Sequence, residues 1–438
     1  MKSKLFYLIF FISISCFSQW NQIDNSINGN SNKDLFGKSI AISGDGNRII
    51  VGATQDDGGR DVGNGYVKVY QKDGTSISQL GSTLNGFAIA DHFGFSVDIS
   101  KDGNIIAIGA PLNNGNAGDN NTGAVKIYQY INNDWSLLGN EIIGEASGDE
   151  FGYSLSLNSN GTIIAVGARR NDTDGIGNEN DGHIRVYKLE SGSWTQIGSD
   201  IDGTDGKQFG TSVSISGDGN TLIMGALSNG AGAKVYKNIS GNWQQIGSEL
   251  LGITNTDRFG ESVDISDNGQ IIAVGAPKTS GLGYVKIYEN MANIWTQIGS
   301  TISGDESSDQ FGKAISVSLN GDFVAIGAPF NASPFSNAGS VKIFRNVANS
   351  WVQLDNEIGA IDGTDFKRQI GSAVALSSNA SILAIGVPEE NGTGFGTDGP
   401  GMFRVYENDS FLPKPFITKW KTTTTNESIT IPTKGTGY

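Results

Sequence analysis

Short runs of alternating apolar and polar residues recur along the chain, each followed by a run that is apolar throughout. The second occurrence is the clearest. After Phe93-Gly94, the side chains of Phe95, Val97 and Ile99 fall on one face and those of Ser96, Asp98 and Ser100 on the other, the period-two pattern of a strand. Asp102-Gly103 then predicts a type I′ turn, which needs two residues of positive φ. Ile105 to Ile108 are apolar on both faces, as in a strand covered on both sides. The unit is a β-hairpin with a buried return arm.

Its lead pair recurs at Phe36-Gly37, Phe93-Gly94, Phe151-Gly152, Phe209-Gly210, Phe259-Gly260, Phe311-Gly312 and, altered, Ile370-Gly371. Ten residues after each lead residue stands a turn glycine (Gly46, Gly103, Gly161, Gly219, Gly269 and Gly321), replaced by Ala380 in the seventh copy. Sixteen residues after it stands an exit glycine: Gly52, Gly109, Gly167, Gly225, Gly275, Gly327 and Gly386. These distances hold while successive lead residues lie 57, 58, 58, 50, 52 and 59 apart, so insertions fall outside the hairpin.

A third strand follows each hairpin, as in Gly65-Tyr66-Val67-Lys68-Val69-Tyr70. It carries a basic residue at one position in every copy: Lys68, Lys126, Arg185, Lys234, Lys286, Lys342 and Arg404. A solvated strand face, with the apolar stem lying over the sheet, is expected there. A fourth strand begins with Trp135, Trp194, Trp243, Trp295 or Trp351, and with Ile77 in the first copy; packing against the next sheet is the expected role of the indoles. Four strands in each of seven units predict an all-β, seven-bladed β-propeller. The seventh unit has no fourth strand after Tyr406, whereas Trp20 to Asp24 stand before the first hairpin without one; the N-terminal strand is therefore expected to complete the last blade.

Composition narrows the picture. With 45 Asp and Glu against 30 Lys and Arg the formal charge is −15, which disfavours nucleic acid and anionic membranes. Lys2 and Lys4 precede an apolar run from Leu5 to Ile12, so residues 1–18 read as a secretory signal peptide, and Cys16, the single cysteine, leaves with it. An acylated Cys16 is the alternative, but Ser13 stands where lipoprotein signals usually carry an aliphatic residue. No other apolar run reaches the roughly 20 residues of a transmembrane helix. The expected domains are the propeller over 19–408 and a linker with a truncated or disordered tail over 409–438.

Phe-Gly at the start, Gly-Ala-Pro at the exit and Gly-x-Val-x-Val-Tyr afterwards resemble FG-GAP repeats, the units of the integrin α-chain propeller. The likeness covers residues 20 to 408 and implies an extracellular propeller used for binding. Residues Phe416 to Thr433 resemble the opening of surface-protein modules that precede BspA-like leucine-rich repeats. The integrin-like form carries a calcium loop of about nine residues with alternating carboxylates. Segments such as Ser43 to Asn47 are too short to enclose an ion, so the calcium sites are not carried over and a metal-free variant is expected.

The connections after the second and fourth strands leave a propeller on one face, and these are the variable ones. They are long at 54–64, 111–122, 169–181 and 388–400 and short at 227–230 and 277–282, which places the expected binding region on blades seven, one, two and three. The polar groups there are Asp56, Asp57, Arg60 and Asp61; Asn113, Asn114 and Asp119; Arg169, Arg170, Asp172 and Asp174; and Glu389 and Glu390. Asn171 to Asp181 carries oxygens enough for calcium, but in no recognised spacing. A second acid recurs two residues before the lead residue, at Asp34, Asp91, Asp149, Asp257 and Asp309, and is expected to cap backbone N–H groups. With His92 and His183 as the only histidines, no nucleophile triad or histidine metal site can be assembled, and no cofactor is expected. The leading expectation is a secreted or cell-surface, monomeric, non-catalytic module that binds an extracellular protein or glycan. The alternatives are a passive display module and a carbohydrate-active enzyme.

Overall fold

The computed structural model describes residues 20–56, 63–115, 120–172, 180–228, 230, 232–278, 280–332, 337–359, 369–388, 399–408, 416–421 and 428–433. These residues form seven antiparallel blades, and no helix among them is long and apolar enough to cross a membrane. Blade 2 shows the plan: Ser96–Ile99, Ile105–Ala110, Ala124–Ile131 and Asp134–Leu137 lie in that order, and Ile142–Ile143 also pairs with the third strand. The outer strand is thus broken, at a glycine of positive φ (Gly139, +78°), a feature that reads as a loop in the sequence. Blades 1, 3, 4 and 5 repeat the break, while blade 6 keeps one long outer strand, Ser350–Gly359.

Blade 7 joins Ala373–Leu376, Ile382–Val387 and Met402–Asn408 to the N-terminal strand Trp20–Asn28. Trp20 lies opposite Asn408 and Ile23 opposite Val405. The expected closure is therefore in place. Separately, Phe416–Lys421 and Ser428–Thr433 pair as a two-stranded sheet.

The hairpin turn differs from the expected type I′. In blade 2 only Gly103 has positive φ (+74°); its N–H donates to the Ser100 carbonyl at 2.8 Å. The Asp102 carboxylate accepts Ser100 Oγ (2.6 Å) and the Asn104 N–H (3.0 Å), a network that holds Asp102 right-handed and leaves the left-handed position to glycine alone. The same carboxylate oxygens that a calcium loop would offer to an ion are engaged within the turn. In blade 7 Ala380 takes this conformation, at φ 57°.

The core sits between blades. One apolar cluster fills each of the seven junctions, including Phe36, Ile40 and Tyr66 of blade 1 against Ile23, Phe403 and Val405 of blade 7. The lead phenylalanines are fully buried in these clusters. Exit glycines let the backbones touch: a Cβ on Gly109 would lie 2.3 Å from the Gly152 carbonyl oxygen of the next blade, and one on Gly386 would lie 2.1 Å from Gly37 O, across the closure. The outer indoles also bridge blades, Trp135 Nε1 donating to Leu80 O at 2.9 Å and Trp194 Nε1 to Leu138 O at 2.8 Å. Packing, as expected, accounts for them.

Candidate functional site

The connections entering each blade and those between its second and third strands meet on one face, and the recurring aspartates fasten them together. Asp34 accepts the N–H groups of Asn30 (2.8 Å) and Ser31 (2.9 Å) while taking Gln55 Nε2 (3.0 Å) and the Tyr66 hydroxyl (2.8 Å) from the neighbouring loop. Asp91 likewise holds Ala88 N at 3.0 Å and Asn113 Nδ2 at 3.1 Å. All five are buried, and burial raises the carboxyl groups of Asp149 and Asp309 above the usual range. The capping role expected of these acids is the one they have, and it makes the loop-rich face rigid at its base.

The basic stripe departs from expectation. Lys126, Lys234, Lys342 and Arg404 are buried rather than solvated: the residue after the glycine of the entering connection, Phe87, Thr204 or Asp305, meets each of the three lysines, and Arg404 Nε donates to Ser26 Oγ at 3.1 Å. The Lys126 ammonium lies 3.0 Å from the ring centre of Phe87 and 3.3 Å from Glu141 Oε1; Lys68 donates to Asn30 Oδ1 at 2.7 Å; Lys342 pairs with Asp305. Arg185 pairs with both Glu145 and Asp200, the latter at 2.7 Å.

The central channel ends differently on its two faces. On the face of the hairpin turns, Gly44 N donates to Lys101 O, Lys101 N to Ser159 O, Ser159 N to Gly217 O and Gly217 N to Asp267 O. The circuit continues from Asp267 N to Leu319 O, Leu319 N to Ser378 O and Ser378 N back to Gly44 O, at 2.8–3.1 Å throughout. Neighbours about 5 Å apart on a seven-membered ring bring the backbone within about 6 Å of the axis, which narrows this end. Above the ring a cavity of about 280 Å³ is lined by Ala41, Asp98, Ser156, Ser214, Asp264, Ser316 and Ala375, one residue from each innermost strand. The polar members link blades: Asp98 accepts Leu157 N at 2.7 Å and Asp264 accepts Val317 N at 2.6 Å. Enclosure by seven blades pushes Asp98 up to about 7, with the charge of Asp264 adding to the effect, and Asp264 up to about 6.

At the loop-rich end, the residue preceding each lead residue has a left-handed backbone: Leu35, His92, Glu150, Gln208, Arg258, Gln310 and Gln369, with φ between 52° and 61°. Seven non-glycine residues held this way present five kinds of side chain from equivalent backbone positions. Glu150 pairs with Arg169 Nε (2.7 Å) and Arg170 Nη1 (3.0 Å), and the Arg169 guanidinium lies 3.8 Å from the ring centre of Tyr153, which packs on Phe95. The signal in the sequence is a position that varies in chemistry between the recurring acid and the lead residue.

Of the residues expected to bind, Arg169 and Arg170 come together at this mouth, and Arg170 is exposed. Asn113 Oδ1 accepts Gly115 N and Asn114 Oδ1 accepts Asn121 N, so both shape their own loop, and Asp172 accepts Asn180 N at 2.7 Å. Asp56 ends the described part of its loop. Asp57, Arg60, Asp61, Asp119, Asp174, Glu389 and Glu390 lie outside the described residues. Of the stretch considered for calcium, Asn171 donates to Asp149 and Glu145 and Asp181 accepts Gly206 N, which turns these groups toward different neighbours; 173–179 lie outside the described residues. The sequence reading overlooked Phe87 and Ile89, which are 73% and 70% exposed on this face.

The sequence profile of the FG-GAP repeat family matches residues 28–68 and 85–128, the first two hairpins and the start of their third strands. No curated protein matches the chain.

Proposed function

Because this chain is an FG-GAP-repeat β-propeller, a fold that serves as a binding or adhesion module, we propose that it is exported and recognises an extracellular protein or glycan through its loop-rich face, without catalysis. The observation that carries this reading is the shelf at the junction of blades 1 and 2. Phe87 and Ile89 are large apolar groups left in water on a rigid face, with Lys126 and Glu141 at their side. An aromatic ring flanked by a cation and a carboxylate suits stacking on a sugar face or on an apolar side chain within a polar rim. Arg170 and the other residues at the channel mouth extend the surface toward blade 3.

A glycan array and a panel of matrix proteins, probed with the full chain, test this. Phe87→Ala is expected to weaken the captured ligand at least tenfold, about 1.4 kcal/mol, while Ile253→Ala, at the junction of blades 4 and 5, leaves it unchanged. Loss with Ile253→Ala and retention with Phe87→Ala would place recognition elsewhere on the ring.

A further inference from the structure

We propose that Glu145, His183 and Asp200 form a site for one divalent transition-metal ion of the zinc class at the loop-rich edge of blade 3. Three separate elements deliver the ligands. Glu145 follows Gly144 in the connection entering the blade, His183 begins the third strand (His183–Glu190), and Asp200 precedes the detached end of the outer strand, Ile201–Asp202. One ligand atom from each, an imidazole nitrogen and two carboxylate oxygens, all lie within 4.8 Å of one another.

The imidazole points to a ligand independently of the acids. The His183 side chain is 1% exposed, yet its Nδ1 makes no hydrogen bond, Glu145 Oε1 standing 3.7 Å away. A buried nitrogen left unpaired is destabilising, and bound metal would remove that cost. The equivalent side chains in blades 1 and 5, Tyr66 and Tyr284, instead satisfy their hydroxyls on the capping acids Asp34 and Asp257. Only blade 3 combines a histidine here with acids at both other positions; blade 2, for instance, has Phe87, Ala124 and Glu141.

The carboxylates are also held in advance. Arg185 Nη2 bridges Glu145 Oε2 and Asp200 Oδ2, Asn171 Nδ2 donates to Glu145 Oε1 at 3.0 Å, and Gln196 Nε2 donates to Asp200 Oδ1 at 2.6 Å. Outer donors of this kind orient ligands in metal sites. Glu145 and Asp200 are 41% and 27% exposed, so an ion reaches them from solvent. One nitrogen with two carboxylates suits zinc or manganese, whereas calcium and magnesium take oxygen alone. Arg185 offsets one of the two negative charges and repels a dication, so micromolar rather than nanomolar affinity is expected.

Chelator-treated, dialysed full chain should bind one Zn²⁺ per molecule in titration calorimetry. Its Co²⁺ form should show the visible absorption of a nitrogen-ligated, low-coordinate ion. His183→Gln and Asp200→Asn should each weaken Zn²⁺ at least tenfold, and His183→Gln should abolish the Co²⁺ band. Asp200→Asn alters a partly exposed group, so it reports on the site even if His183→Gln unfolds. No stoichiometric Zn²⁺ in the parent protein, or equal affinity in Asp200→Asn, would overturn the assignment.

Discussion

The most constrained residues are the exit glycines, where the reason is contact and not turn conformation. At Gly109 any side chain meets a backbone oxygen of the next blade, which cannot move without opening the junction. Gly109→Ala is expected to destabilise by about 3 kcal/mol or more in denaturant unfolding. Turn glycines carry a different constraint. Gly46→Ala would combine φ of +77° with a Cβ 2.6 Å from Ile382, at a cost of about 2 kcal/mol. Asp98 supplies a pH signature. Its folded value, near 7, lies above that of the unfolded chain, so the folded state binds the extra proton and is favoured as pH falls from about 7 toward 4. Melting temperature should therefore fall from pH 5 to pH 8 by more in the parent protein than in Asp98→Asn; identical pH profiles would contradict this.

Among elements, the hairpins were legible and the outer strands only partly so. Alternation in Phe95 to Ser100 and the apolar run after Gly103 identify two strands without ambiguity, because one face or both must be buried. The short inner ends of the outer strands, such as Ile142–Ile143, follow a glycine and two polar residues and look like loop. Basic residues were misread for a related reason: whether Lys126 is solvated depends on Phe87, which lies 39 positions earlier and reaches it only in the folded ring. The indole lids follow from the fourth strand alone. Trp135→Ala should cost about 3–4 kcal/mol and expose the junction of blades 1 and 2, seen as faster amide exchange at Leu80 to Leu84.

At the scale of the whole molecule, repeat count and closure could be read because the fixed spacings and one surplus strand leave a single arrangement. The backbone ring through Gly44, Lys101, Ser159, Gly217, Asp267, Leu319 and Ser378 could not, since it uses no particular side chain. The blade 3 cluster was hidden for another reason. Its three residues come from two connections and the start of a strand, and neither the single histidine nor the scattered acids form a motif along the chain. Seven junctions of similar make-up share the load, and the one between blades 7 and 1 depends on Trp20–Asn28. Removing residues 20–28, followed by calorimetry and light scattering, tests closure directly. A lowered melting temperature together with self-association through the uncovered Met402–Asn408 edge is expected; a monomer with unchanged melting would contradict a ring completed by its N-terminal strand.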